Sequence, residues 1–155
     1  MLRVQVKERG PVPRRLKAHY NQVSRESWRE TGIAFHTNYR PKRFTTAHAR
    51  AAGYAPRAGE NLPYGSKAYW ASYTGRKKRR FGHVRPLEFT GESRRAVQTA
   101  NLVVTSNQVK VKYRGARVFN FRGLNEEFTR LLPDEAVQLG RVYDRNLTKR
   151  FGKGK

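Results

Sequence analysis

Between His36 and Arg85 the chain sets twelve Lys or Arg residues against a single acid, Glu60. A stretch so charged and so weakly periodic cannot fold around an ordinary apolar stripe. It constrains the whole chain, which carries 34 Lys or Arg against 11 Asp or Glu, a net charge of +23 over 155 residues. The interval 125–144 reverses the trend, with Glu126, Glu127, Asp134, Glu135 and Asp144 facing only Arg130 and Arg141. The tail from Arg145 turns basic again. Self-repulsion on this scale disfavours a compact monomer, and an anionic partner relieves it. Nucleic acid serves because Lys and Arg displace its condensed counterions. An acidic protein neighbour would serve as well. The sharpest patch is the run Arg76, Lys77, Lys78, Arg79 and Arg80. It reads either as a solvated helix end or as a contact to such a partner.

Several function classes are excluded or disfavoured. The absence of cysteine removes disulfide frameworks, thiolate zinc sites, iron–sulfur clusters and cysteine nucleophiles. It is compatible with a reducing cytoplasm. The longest apolar runs are three residues, such as Leu102-Val103-Val104, against the roughly 20 that cross a bilayer. The opening MLRVQVKERG has no apolar core and does not read as a secretory signal. Aromatic residues at 12% argue against disorder throughout. No phosphate-cradling glycine loop occurs. Only two aspartates exist, and the four histidines (His19, His36, His48, His83) lack metal-ligand spacing. The expectation is a protein that is not an enzyme, with no metal and no cofactor.

Periodicity marks out a few elements. Leu2, Val4 and Val6 alternate with polar residues as a short strand would. Pro13 suits a first helical turn and Gly32 the position after a last one. Between them Leu16, Tyr20, Val23 and Ser27 form a stripe, with Trp28 beside it. Residues 46–53 predict one to two turns with an N-cap and a Gly stop, and residues 67–81 a helix capped by Ser66. In that helix Trp70, Thr74, Lys77 and Phe81 would share a face, although Gly75 weakens it. Residues 91–97 predict a short helix. Leu102-Val103-Val104 and the alternation of Val109, Val111 and Tyr113 with Lys110, Lys112 and Arg114 predict two strands, the second with a basic wet face. Residues 116–121 would continue the sheet. A last helix opens at Pro133, with Asp134 and Glu135 at its positive end and Lys149 and Arg150 at its negative end. Ala136, Leu139, Tyr143, Leu147 and Phe151 form its apolar stripe. The chain thus reads as one domain over 1–151, with 36–90 an extended, basic, aromatic-rich insertion or arm and 152–155 a flexible tail.

Four segments occur in an order that resembles the small neck proteins of tailed bacteriophages. They are Lys42-Arg43-Phe44-Thr45, Ala52-Gly53-Tyr54-Ala55-Pro56-Arg57, Tyr73-Thr74-Gly75-Arg76-Lys77 and residues 82–94. Within the last, Arg85-Pro86-Leu87 followed by Thr90-Gly91-Glu92 is similar to the signature of the tail-completion and virion-morphogenesis group. Ser93 departs from it, standing where a bulky apolar residue is usual. The resemblance spans about residues 33–151. It implies an α+β fold, a small twisted antiparallel sheet flanked by the first and last helices. It also implies a structural virion protein, assembled in the host cytoplasm as a homo-oligomeric ring of six or twelve copies in the head–tail connector or tail terminator. Its partners would be portal or adaptor and tail-tube proteins, and packaged double-stranded DNA held without sequence preference. A closed heterologous interface generates such rings. Tyr54, Tyr69, Trp70, Tyr73 and Phe81 are the candidate subunit contacts, since aromatic residues are favoured at interfaces. Arg76, Lys77, Lys78, Arg79, Arg80, Lys110, Lys112 and Arg114 are the candidate nucleic-acid or acidic-partner contacts. The alternative is an RNA-binding, ribosomal-type protein, which size, charge and missing cysteine equally suit.

Overall fold

The first long helix, α1 (Arg14–Ala34), buries Val23, Ser24, Ser27, Trp28, Thr31 and Gly32. These positions recur every three or four residues and so lie on one face. The face is built for close approach rather than bulk. The Ser27 hydroxyl donates to the Val23 carbonyl and the Thr31 hydroxyl to the Ser27 carbonyl, so small buried polar groups are satisfied within the helix. The computed structural model describes residues 14–115 and 117–152. The expected strand over residues 2–6 and the end of the expected tail lie outside them.

Two compact units divide the chain. The first takes the chain as far as Pro41, then Thr99–Tyr113, then the chain from Leu131. The second takes Lys42–Gln98 and Arg114–Arg130.

In the first unit α1 packs on a hairpin and on the final helix. Strands β1 (Ala100–Val104) and β2 (Val109–Tyr113) are antiparallel, with Leu102 opposite Val111 and Val104 opposite Val109. The Thr105 N–H donates to the Gln108 carbonyl across the turn at 2.9 Å. Alternation sends Leu102, Val104, Val109 and Val111 toward Trp28 and Tyr143, the centre of the core. Gly32 does not end the helix as expected. It lies inside α1 because a Cβ there would sit 2.7 Å from a Val109 methyl, and only glycine lets the hairpin come so near. A π-helical turn, Phe35–Tyr39, follows α1.

The final helix, α7 (Pro133–Phe151), starts on Pro133 as expected. The Glu135 carboxylate accepts the Leu132 N–H at 3.1 Å, supplying the cap. The helix runs antiparallel to α1. Trp28 lies 4.4 Å from Tyr143 between ring centres, and Phe151 reaches Tyr20 and His19. The Ser24 hydroxyl pairs with the Tyr143 hydroxyl at 2.7 Å, and burial pushes that phenol up to about 12. Arg150 bridges Glu26 and Glu30 of α1. Two stripe positions are corrected. Leu16 is 51% exposed, one turn beyond the last contact of Phe151, and Ala136 is exposed while Glu135 is buried.

The second unit consists of short helices: α2 (Thr46–Ala51), α3 (Lys67–Ala71), α4 (Tyr73–Phe81), α5 (Glu92–Ala96) and α6 (Arg122–Thr129). Residues 36–90, read above as an extended arm with helical segments over 46–53 and 67–81, contain three of them. Hydroxyl caps start them. Thr45, one residue before the position expected, accepts the His48 N–H, and Ser66 accepts the Tyr69 N–H, as expected. The helix expected over 67–81 is broken at Ser72, which is extended (ψ 168°) and accepts the Gly75 N–H at 3.1 Å. The chain doubles back so tightly there that a Cβ on Gly75 would lie 2.0 Å from the Tyr69 carbonyl oxygen. Trp70 therefore does not share a helical face with Thr74, Lys77 and Phe81. Residues 117–120 form a 3₁₀ turn rather than further sheet, because Phe119 packs on Phe128 of α6 at 4.6 Å between ring centres. Phe128 also meets Phe44. Helix α6 has no counterpart in the sequence reading.

The class is α+β, helix-rich with a two-stranded antiparallel sheet among the described residues. No described helix is long and apolar enough to cross a membrane.

Candidate nucleic-acid interface

Helix α4 sorts its five consecutive cations by geometry. At about 100° per residue, Thr74, Lys77 and Phe81 fall on one side and Arg76, Arg79 and Arg80 on the other. The three arginines are exposed, and Lys77 is only 3% exposed. Lys78, half-buried, donates to the Gly82 carbonyl at 2.9 Å and so caps the helix's negative end. Gly82 itself sits at φ +73°, the left-handed stop that glycine favours.

Aromatic rings pave the exposed side. The Arg79 guanidinium lies 5.2 Å from the centre of the Trp70 ring, and that of Arg80 lies 5.4 Å from Phe81. Tyr73 and Phe89 stack at 5.4 Å with 23° between their planes. Together Tyr73, Arg76, Arg79, Arg80 and Phe89 line an open groove of about 540 Å³ with no carboxylate in its wall.

A second cavity of about 450 Å³ adjoins the groove and shares Tyr73 and Phe89 with it. Lys77 enters this cavity, and its ammonium donates to the Arg85 carbonyl. Burial pulls the Lys77 pKa down to about 8, against the opposing attraction of Glu88. Glu88, 6% exposed, makes no hydrogen bond to a described residue. Its carboxylate is approached by Arg85 at 3.6 Å, His83 at 3.9 Å and Arg94 at 4.0 Å. Desolvation also lowers the His83 pKa and raises that of Tyr73. The backbone turns at Leu87, where φ is +54°, a left-handed value unusual for a residue with a Cβ. The buried Ser93 hydroxyl donates to the Leu87 carbonyl. A serine at this position is thus satisfied and helps hold the turn. Deeper in the unit Glu127 receives Arg57 and the Ala55 N–H.

The structure distributes the expected site residues unevenly. Arg76, Arg79 and Arg80 come together on one exposed face. Lys77 is not on that face: it is buried, so it offers no charge to a phosphate at the surface. Lys110, half-buried, and exposed Lys112 lie on the outer face of the hairpin in the first unit, across from Val103 and Asn101. Arg114 is exposed and follows β2. Among the expected subunit contacts, Tyr69 is 6% exposed and packed on Trp70 and Tyr64. Tyr54 packs on His48, Tyr73 on Phe89, and Phe81 on Phe89 and His83. The rings most open to another molecule are instead Tyr64 and Phe121, at 72% and 67% exposed. Sequence reasoning passed over Glu88 and Glu127. The available signal for Glu88 was an acid within a basic and aromatic surround; Glu127, in the acidic interval 125–144, gave no such signal.

Compared with known proteins, the chain matches no family model, no curated protein and no solved structure.

Proposed function

We propose that this chain is a structural protein that grips a nucleic-acid backbone without reading its sequence, and that it does so in the ring-shaped neck of a tailed bacteriophage, around the DNA channel between portal and tail. The observation that carries the binding is the set of three exposed guanidiniums, Arg76, Arg79 and Arg80, on one helical face beside a groove free of carboxylates. Such a face neutralises phosphates and gains from counterion release, with no need for base contacts. The neck assignment draws on the ordered segments from Lys42 to Arg94 and on the α+β class. An assembly of identical copies also supplies the reason for a charge of +23, since many cations then share one polyanion.

Duplex DNA binding measured over a range of salt concentrations tests the first part. The logarithm of affinity should fall linearly with the logarithm of salt, and replacing the three arginines by alanine should flatten the slope by about two to three. Affinity indifferent to salt overturns it. Electron microscopy of the purified protein tests the second part. Closed rings support the neck role, and a monomer at every concentration, with or without DNA, overturns it.

A further inference from the structure

The groove and the cavity adjoining it differ in charge. The groove presents Arg76, Arg79 and Arg80 with no acid. The cavity wall carries Arg57, Lys77 and Arg85 against Glu60, Glu88 and Glu92, so its charges cancel. Its remaining wall is largely apolar, with Val84, Pro86, Leu87 and Leu124 among its members. A volume of about 450 Å³ lies within the roughly 300–1,000 Å³ of small-molecule sites. An anion therefore belongs in the groove, and a neutral group with a polar edge belongs in the cavity.

We propose that the cavity receives an unstacked nucleobase whose own phosphates lie on the arginines of the groove. The inference rests on the backbone-binding reading above and names which part of the nucleic acid goes deeper. Tyr73 and Phe89 line both spaces, so a nucleotide passing from one to the other crosses their rings, and aromatic faces suit any base. Lys77 and Glu88 supply the polar edge. An ammonium has three N–H donors, and one of Lys77's goes to the Arg85 carbonyl, leaving two. The Glu88 carboxylate only accepts, and it makes no hydrogen bond to a described residue. A buried donor and a buried acceptor in one cavity wall match the edge of a base, which carries both. The left-handed turn at Leu87 sets Glu88 in this wall, and strained backbone of this kind persists where the surroundings hold it. A continuous duplex keeps its bases stacked and paired. The cavity thus favours a single strand, or the frayed end of a duplex.

Three probes of equal length, about 12 nucleotides, separate these terms: a mixed-sequence single strand, the same backbone with every base removed, and a blunt duplex. At equal salt the base-bearing strand should bind at least about tenfold tighter than the abasic strand. Val84→Trp, at a position 42% exposed in the cavity wall, should erase that difference and leave abasic binding unchanged. Equal binding of the two strands overturns the base site and leaves the backbone reading standing. A tenfold difference that survives Val84→Trp, in a variant that melts like the parent, places the base elsewhere and overturns the cavity assignment. No salt-dependent binding of any probe overturns both readings.

Discussion

The two units of this chain solve the problem of high charge in different ways. The first covers a hairpin with two long helices, and its core is apolar: Trp28, Val109 and Tyr143, with Leu102, Val104, Val111 and Leu147 around them. The second is held by hydroxyl caps and by charges taken inside: Arg43, Lys77, Glu88 and Glu127 are all 6% exposed or less. Its helices run from five to nine residues, too short to be stable by propensity alone. A buried ion pair is a poor source of net stability but an exacting one to break, because a lost partner strands a charge away from water. The first unit should therefore respond to lost volume and the second to lost partners. Each unit holds one of the two tryptophans, Trp28 and Trp70, so fluorescence can follow them separately.

Trp28→Ala should have the largest effect, a loss of about 3–5 kcal/mol in the first unit measured by denaturant unfolding, since a ring pressed on Tyr143 leaves a cavity. A loss below about 1 kcal/mol would dissolve the contrast. Glu127→Ala should cost the second unit about 2–3 kcal/mol, read from the Trp70 signal, as Arg57 and the Ala55 N–H lose their acceptor. An unchanged transition would mean that these polar groups are not what holds the unit.

The third test is a pH profile. The folded Lys77 has its pKa near 8 against 10.5 when solvated, so between those values the unfolded chain holds the proton more firmly than the folded one. Stability therefore rises with pH across that window, and Lys77→Met should remove the rise and be the more stable protein below pH 8. Identical pH profiles for parent and variant would show that Lys77 is solvated. Ser72→Ala should cost about 1 kcal/mol by removing the cap that separates α3 from α4. The smallest effect belongs to Arg122→Ala. Its pair with Glu126 lies on the surface, so the melting temperature should not move measurably.

Local spacing carried the first unit a long way. The period of 3.6 marked α1 and α7, a short apolar run marked β1, the period of 2 marked β2, and Pro133 marked a helix start, because each is a short-range trace of local structure. Caps were legible for the same reason, as at Ser66, where donor and acceptor stand three residues apart. The depth of Lys77, the inward turn of Glu88 and the place of Gly32 inside α1 left no such trace. Each depends on what a residue further along the chain brings: the Arg85 carbonyl, the Ser93 hydroxyl and the Val109 methyl. The run from Arg76 to Arg80 displays five positive charges in the amino-acid string. Which of them reach solvent was decided by folding, since burying a cation requires partners that only the tertiary structure assembles.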